Sequence, residues 1–250
     1  MILITFNLIN NDSSLKNEKE ISEVERTEIT EKSTNSILRI LEFHDVKATF
    51  FVEISLLENL KLLLKKIISK GHEVSLYNQN STLKEIEEAK FSIEKYIEKD
   101  IRGIRQKDIS VSLPELKSLE FTYTSDIENA NILFPLKRLQ RSTEIREELG
   151  MSIVPESISP YSQLPYNDFV FQMLPKKFYQ NMVYETLQAE EFVLIYLDSR
   201  QFTDYEKYPF TIPFYRKLNS GRKMEDKLEE LLKWINEMEL ATSRMKDYIF

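Results

Sequence analysis

The side chains that could carry out catalysis are few, and their spacing matches no common catalytic motif. The 250-residue chain has only two histidines, His44 and His72, and no cysteine. This composition excludes disulfides, thiol nucleophiles and Cys-ligated metal sites, and without an HExxH or HxxxH pair it excludes a His-rich zinc site. GxSxG, GxxxxGK[ST] and GxGxxG patterns are absent as well. We expect both histidines to be structural.

Several aspartates lie near the ends of predicted strands, where any two could converge as an acid and a base. Most are expected in turns and caps. Asp198 is distinctive because it follows the apolar run FVLIYL, and Arg105 ends IRGIR in the same way. The carboxyl ends of parallel strands form the edge where α/β sites are built. Arg105 could hold a carboxylate ligand there, but a structural ion pair is the favoured interpretation. The aspartates are Asp12, Asp108, Asp126, Asp198 and Asp204.

Strand-like and helix-like segments alternate along the chain, which favours a parallel sheet covered by helices on both faces. A series of this length can close into a barrel. Thr82 and Glu85 form a capping box that begins one helix. Residues 150–175, with four prolines, interrupt the alternation and predict an extended loop or hairpin. The predicted strands are 2–6, 47–52, 72–77, 101–105, 121–124, 131–134 and 192–197; the predicted helices are 29–43, 56–70, 83–97, 113–119, 178–188 and 224–238.

The amino-acid composition limits the classes of molecule that the protein is expected to bind. The net charge is −7 and the pI is near 5.2, which disfavours nucleic acid or an anionic membrane as the main partner. Four glycines leave no Gly-rich phosphate cradle. The start MILITFNLINNDSS has no basic region and no apolar run long enough to span a membrane, so we expect a cytoplasmic protein without a membrane span. We expect one domain over residues 1–250, with an irregular insertion at about 138–175.

The order of segments resembles a known family. ILITFN, ILRILEFHDVKATFFV, ISKGHEV, IRGIR, FTYTSD and FVLIYLD follow one another as in the polysaccharide deacetylases, the NodB-homology proteins of carbohydrate esterase family 4. KATFFV and SKGHEV are the most specific pieces, and the resemblance covers most of the chain. It implies a distorted (β/α)7 barrel and a divalent metal, usually zinc, that activates water to remove an acetyl group from a glycan.

The residues that the resemblance assigns to catalysis are replaced here. The first strand continues into Asn7, where the family has aspartates that act as base and metal ligand, and no carboxylate follows before Asp12. The two metal-binding histidines correspond to Tyr77 and Ser81, and the late histidine corresponds to Asp198. Hydroxyls are poor zinc ligands beside imidazole, and an amide cannot act as a general base. Only the family's arginine has a counterpart, Arg105, and Lys107 replaces the proline after it.

The sequence therefore predicts a deacetylase-like protein that is catalytically inactive and has neither a catalytic residue nor a bound metal or cofactor. We expect it to act as a glycan-binding or interaction module, with an oligosaccharide or a polysaccharide-synthesis protein as partner. In a closed version of the pocket, Arg105 pairs with Asp198 or Asp12. The predicted binding groove consists of Asn7, Asn10, Asp12, Tyr77, Asn78, Arg105 and Asp198.

Two alternatives stay open. In one, Asp12, Asp108 and Asp198 gather Mg²⁺ or Ca²⁺ in a rebuilt hydrolase site, since hard cations accept carboxylate and amide oxygens. In the other, the chain is a scaffold that pairs with an active enzyme of surface-polysaccharide synthesis. Aromatic side chains in residues 161–171 could stack on sugars, but packing beneath a loop is the favoured interpretation.

Overall fold

A computed structural model describes residues 1–9, 22–107, 109–126, 143–208 and 214–249. Within these ranges the strands form one sheet in the order β6-β7-β5-β4-β3-β2-β1-β8, and β9 pairs with the start of β1. Six parallel pairings join the seven strands from β7 to β8 in this order, and β6 is antiparallel to β7. The strands are β1 (Ile2–Leu8), β2 (Thr49–Glu53), β3 (Glu73–Asn78), β4 (Gly103–Gln106), β5 (Tyr123–Asp126), β6 (Arg146–Glu148), β7 (Met151–Pro155), β8 (Val193–Asp198) and β9 (Thr242–Ser243).

Helices connect the parallel strands and cover the outer face of the sheet. Ile37 and Leu41 of α1, Leu64 of α2 and Leu228 of α8 belong to one large apolar cluster with alternate residues of the strands, such as Phe50. The helices are α1 (Glu23–Phe43), α2 (Lys61–Ser69), α3 (Leu83–Ile97), α4 (Leu113–Ser118), α5 (Asp168–Met173), α6 (Lys176–Ala189), α7 (Phe214–Lys217), α8 (Arg222–Glu237) and α9 (Met245–Ile249).

The sheet is curled. Arg105 of β4 donates a hydrogen bond to Asn7 of β1, although β3 and β2 lie between these strands. In a flat sheet the two backbones would be about 14 Å apart, at about 4.8 Å per strand. The side chains therefore cross an enclosed interior, and the predicted α/β architecture, a distorted (β/α)7 barrel, is confirmed.

The distortion lies between β7 and β8, which do not pair directly in the described residues. Side chains and loop backbone bridge the opening. Ser157 Oγ accepts a hydrogen bond from the Leu194 amide at 2.8 Å, and the Tyr196 amide donates to the carbonyl of Tyr166 at 3.1 Å. Tyr196 OH also donates to Glu156 Oε2 at 2.8 Å. The segment after β7 thus supplies hydrogen bonds to β8 where β7 and β8 do not pair directly.

The barrel interior contains polar as well as apolar side chains. Successive strand residues point to opposite faces, so every second residue of a parallel strand faces inward. A small apolar cluster that includes Leu3, Phe51, Tyr123 and Leu194 fills part of this space. The rest is occupied by buried hydroxyls, amides and charges, and these groups form two networks described below.

Most predicted elements are present with shifted ends. The capping box at Thr82 and Glu85 begins α3 as predicted. The helix predicted from residue 56 begins at Lys61, because Ile54–Leu56 forms a separate 3-10 turn. The strand predicted at 131–134 lies outside the described residues.

Residues 150–175 are more regular than expected. They include β7, which forms a hairpin with β6 but also pairs in parallel with β5, and helix α5. Tyr166 and Phe171 are buried in the core, whereas Tyr161 is exposed. The C-terminal β9 and α9 had no sequence prediction.

In the described ranges, no helix combines the length and the apolar character required to cross a lipid bilayer.

Candidate functional site

The mouth of the barrel, at the carboxyl ends of the parallel strands, is centred on a buried guanidinium. Arg105 is 1% exposed and sits at the end of β4, in register with Tyr77 of β3 and Ser125 of β5. Its Nη1 donates to Asn7 Oδ1 at 2.6 Å, and its Nη2 donates to Thr5 Oγ1 at 3.2 Å and to Ser125 Oγ at 2.9 Å. Its donors therefore face neutral oxygens from two other strands.

An aromatic ring covers one face of the guanidinium. The Arg105 Cζ atom lies 3.8 Å from the ring centroid of Phe51, a cation–π distance. Burial lowers the pKa of Arg105 to about 9. The groups that most oppose this decrease are the tyrosines Tyr77, Tyr123 and Tyr196, and none of them is a carboxylate. The side chain remains a cation at neutral pH, and hydrogen bonds and the ring compensate its loss of hydration.

Tyr77 is buried beside this cation. Burial is the main reason that its pKa rises to about 12; Arg105 opposes this rise, while Asp198 and Glu53 add to it. The phenol therefore keeps its proton at neutral pH. Tyr77 is in register with Arg105, Arg105 reaches Asn7, and Asn7 is in register with Asp198 of β8, so the ends of β3, β4, β1 and β8 meet here. The predicted convergence of Tyr77, Arg105 and Asp198 at one edge thus corresponds to the observed geometry.

The predicted ion pair between Arg105 and Asp198 is wrong. Asp198 Oδ2 lies 2.7 Å from Arg200 Nη2, and Asp198 Oδ1 accepts a hydrogen bond from the Arg200 amide at 3.0 Å. A carboxylate that follows a strand can cap the next turn with the nearest backbone donor. The Asp198 carboxylate therefore pairs within the local 3-10 turn at Ser199–Phe202 and not with Arg105.

The other predicted groove residues differ in exposure. Asn78 is buried, and its Oδ1 accepts the Ser81 amide at 2.8 Å while its Nδ2 donates to Ser110. Asn7 is half-buried and is thus the most accessible of the predicted groove residues that are described. Asn10 and Asp12, together with Asp108, lie outside the described residues.

Three acidic residues near the mouth were missed. Glu53 ends β2 and is held by Ser55 Oγ at 2.7 Å and Gln79 Nε2 at 3.0 Å. Glu156 follows β7 and accepts from Tyr196. Asp168 accepts from Gln201 Nε2 at 2.9 Å, and burial is the main cause that raises its pKa to about 6. The inward period of two along β2 could have identified Glu53, but only tertiary contacts place Asp168.

Both histidines are structural, as expected. His72 is buried, its Nδ1 accepts the Ala48 amide at 3.2 Å, and burial lowers its pKa to about 4. His44 forms the C-cap of α1. Burial lowers its pKa as well.

A second polar network lies at the opposite end of the interior, which we call the base. Glu73, 3% exposed, accepts hydrogen bonds from Thr49 Oγ1 at 2.7 Å, Tyr123 OH at 2.8 Å and the Lys246 amide at 3.1 Å. The pKa of Glu73 is raised, chiefly by burial, and these donors oppose the rise. The Met245 amide also donates to Thr49 Oγ1, so α9 seals the base.

The described residues of the mouth do not fit a zinc ion. Zinc requires imidazole, thiolate or carboxylate donors, and the described ranges contain no cluster of three His, Cys, Asp or Glu side chains suited to a metal. The Tyr77 hydroxyl keeps its proton, Asn7 Oδ1 faces the Arg105 cation, and Asp198 faces Arg200. A rebuilt Mg²⁺ or Ca²⁺ site of Asp12, Asp108 and Asp198 keeps only one described member, and that one is paired with arginine.

No protein-family model and no curated protein sequence matches the chain. Several solved structures are similar to the chain. A probable polysaccharide deacetylase from Pseudomonas aeruginosa PAO1 has a TM-score of 0.63 at 11% identity, with 98% of this chain and 88% of that chain covered. A Mycobacterium smegmatis protein provisionally described as a polysaccharide deacetylase has a TM-score of 0.63 at 13% identity, with coverage of 99% and 87%.

A pseudoenzyme is similar as well. The wild-type carbohydrate esterase family 4 pseudoenzyme from Bacillus anthracis has a TM-score of 0.51 at 12% identity, with 99% of this chain covered. The chain spans 64% of the length of that protein. A variant of the pseudoenzyme with restored enzymatic activity has a TM-score of 0.53. The chain thus has the fold of the carbohydrate esterase family 4 deacetylases, a fold found in active and inactive proteins.

Proposed function

Because the chain has the fold of the carbohydrate esterase family 4 deacetylases, we propose that it is a deacetylase-like protein that performs no catalysis. Its mouth binds a glycan or a protein of polysaccharide metabolism. A cytoplasmic location is part of this proposal, and fractionation of cells that express the full chain tests it. We further propose that residues 1–250 act as one domain.

One contact carries the proposal of inactivity: the 2.6 Å hydrogen bond from Arg105 Nη1 to Asn7 Oδ1. Asn7 stands where the resemblance gives the family its first-strand carboxylates. An amide neither accepts a proton from water nor carries a negative charge toward a metal. The buried Arg105 cation faces this amide and two hydroxyls, so in the described part of the mouth the position opposite Arg105 holds no carboxylate that could act as the base of hydrolysis.

The same arrangement suits binding of a hydroxyl-rich ligand. Polar binding sites place a few amide, hydroxyl and charged groups around a shaped surface. Asn7 is half-buried and presents an amide at the mouth, while Tyr77, Asn78, Arg105 and Asp198 are buried and fix the shape of the strand ends. Asn10 and Asp12, although outside the described residues, complete the proposed ligand-binding set.

The experiment has two arms on the chelator-treated full chain supplied with Zn²⁺. Acetate release from acetylated chitooligosaccharides measures catalysis, and calorimetric titration with the same glycans measures binding. We expect no acetate above the buffer rate and a saturable heat of binding. Metal-dependent acetate release would contradict inactivity, and no binding to any acetylated or deacetylated oligosaccharide would overturn the glycan ligand.

A matched pair of variants locates the binding. Asn7→Asp keeps an oxygen acceptor for Arg105 but removes the amide donor, so we expect affinity to fall roughly tenfold with the fold retained. Asn59→Asp makes the same chemical change at an exposed position in the turn before α2 and should bind like the natural chain. Equal affinities for both variants would remove Asn7 from the site.

A further inference from the structure

The side-chain amide of Asn7 has a fixed orientation at the mouth. Its Oδ1 accepts a hydrogen bond from Arg105 Nη1 at 2.6 Å, and because a guanidinium has donors but no acceptor, the oxygen and not the nitrogen must face it. The Nδ2 group therefore points away from the buried cation. It donates to no residue that the structure describes, and Asn7 is half-buried. Asn7 thus offers an unused donor at the mouth.

The hydroxyl of Tyr77 is a second unused donor beside the same cation. Tyr77 is in register with Arg105 and is 9% exposed, and its hydroxyl makes no hydrogen bond to any described residue. Burial is the main cause that raises its pKa to about 12, so the phenol keeps its proton and can donate. A largely buried tyrosine hydroxyl usually has a partner. The unused hydroxyl therefore indicates a position for an acceptor on a ligand.

The cation beneath these two donors lacks an anionic partner in the described chain. Every hydrogen bond that Arg105 makes there goes to a neutral oxygen, and the three acceptors are Thr5, Asn7 and Ser125. A charge interacts more strongly with an opposite charge where water is excluded. The mouth therefore favours a ligand that brings a negative charge to Asn7 and Tyr77.

The acidic side chains near Tyr77 have other partners. Asp198 pairs with Arg200 at 2.7 Å, and Glu53 accepts hydrogen bonds from a serine hydroxyl and a glutamine amide. Among the charged groups that shift the pKa of Tyr77, Arg105 has the largest influence, ahead of Asp198 and Glu53. The Tyr77 hydroxyl is thus influenced more by the cation than by either acid.

We propose that the mouth binds the carboxylate of an acidic saccharide, such as a uronic acid. The carboxylate accepts hydrogen bonds from Asn7 Nδ2 and from the Tyr77 hydroxyl. Arg105 stays buried below them and polarises the Asn7 amide through its hydrogen bond. The saccharide rests on the proposed function, whereas the carboxylate rests on the two unused donors and the cation.

The test compares two disaccharides by calorimetric titration of the full chain. Cellobiouronic acid and cellobiose differ only in a carboxylate that replaces one hydroxymethyl group. We expect roughly tenfold tighter binding of the acid, because its hydrogen bonds are charge-assisted. An affinity for the acid no higher than for cellobiose would overturn the carboxylate, and the proposed function would stand if acetylated chitooligosaccharides bind. No binding of any of these glycans would overturn both.

Two variants and a control locate the carboxylate. Tyr77→Phe removes one donor and keeps the ring, so the preference for the acid should fall to about threefold with the melting temperature retained. Asn7→Asp should abolish the preference, because its own carboxylate then faces Arg105. Tyr184→Phe removes an exposed hydroxyl on α6, at the outer face of the sheet, and should keep the full preference. An unchanged preference in Tyr77→Phe or Asn7→Asp would overturn the proposed contacts.

An acidic peptide is the competing source of a carboxylate. The dipeptide Asp-Gly, acetylated and amidated at its ends, carries one carboxylate and no sugar. We expect it to bind roughly tenfold more weakly than cellobiouronic acid, because it lacks the hydroxyls that neighbouring polar groups of the mouth can bind. Equal or tighter binding of the peptide would overturn the saccharide and assign the mouth to an acidic protein segment.

Discussion

A buried ionisable side chain organises each end of the barrel interior, Arg105 at the mouth and Glu73 at the base, and the two are held differently. At the mouth, Arg105 is held by Thr5, Asn7 and Ser125 through side chains alone. At the base, Glu73 is held by side chains and also by the Lys246 backbone amide. The base is sealed by α9, whereas the mouth ends in a half-buried amide. This contrast places structural chemistry at the base and leaves the mouth accessible to a ligand.

Tyr123 links the two ends. Its hydroxyl donates to Glu73, and its raised pKa, caused mainly by burial, is increased further by Glu73 and reduced by Arg105. The ring fits because β4 has Gly103 opposite it. A Cβ on Gly103 would lie 2.0 Å from Tyr123 Cζ, far inside van der Waals contact. The interior therefore depends on one close approach between neighbouring strands.

The largest effect on stability is expected from adding a Cβ at Gly103, where the Tyr123 ring packs against the backbone of β4. Gly103→Ala forces the Tyr123 ring out of its place and should lower the free energy of unfolding by about 3 kcal/mol or more. Urea denaturation measures the loss. Adding Tyr123→Leu should recover part of the loss if the ring is the obstacle, and a strictly additive double variant would contradict this explanation.

The second largest effect on stability is expected from changing Arg105, the cation at the mouth. Arg105→Lys keeps the charge but loses the planar fork that reaches three oxygens, so the free energy of unfolding should fall by about 2–3 kcal/mol. Arg105→Met is the companion variant, since it removes the charge while filling the space. If the lysine variant proves as stable as the natural chain, the three hydrogen bonds do not organise the mouth.

Asp168 makes stability at the mouth side dependent on pH. Its pKa is raised to about 6 in the folded chain, from an ordinary value of 3.8. As pH rises from about 4 to about 6, the unfolded chain loses this proton first, so the folded state loses stability. The side chain is 24% exposed, which reduces the expected loss to about 1–2 kcal/mol.

Asp168→Asn should lack this dependence. Melting temperatures of both proteins across pH 4–6 provide the comparison. Parallel pH curves would show that Asp168 titrates normally in the fold.

Glu73 at the base should behave with the same sign, because burial raises its pKa and its hydrogen bonds only oppose that rise. Its raised pKa means that the unfolded chain releases the proton first as pH rises above 4.5. Natural chain stability therefore declines from that pH upward until the folded carboxyl ionises.

Relative to the natural chain, Glu73→Gln should gain stability over the same interval. The measurement is chemical denaturation at pH 4 and pH 7. A gain at pH 4 that disappears at pH 7 would reverse the sign and contradict a raised pKa.

Local patterns predicted the elements well and the contacts poorly. The apolar runs identified β1, β2, β3 and β8, and the capping box located α3. Asp198 at a strand end was recognised, but its partner was not, because the competing donor, Arg200, sits two residues away in a turn that apolar periodicity does not reveal. The sequence predicts Glu73 only as part of a strand, because its burial depends on α9, which lies more than 170 residues later in the chain. Strand ends can be predicted from sequence, but which charged groups meet there depends on local turns such as the one at Arg200 and on the curl of the sheet.

The most direct measurement is a Zn²⁺ titration of the chelator-treated chain, read as a change in melting temperature. A ligand at 100 times its dissociation constant adds about 2.7 kcal/mol to stability, which corresponds to roughly 5–10 °C for a domain of this size. We predict no shift for the natural chain and a saturable shift for the triple variant Asn7→Asp, Tyr77→His, Ser81→His, which restores donors at the positions given by the resemblance. A saturable shift of that size in the natural chain would contradict a mouth without a metal site.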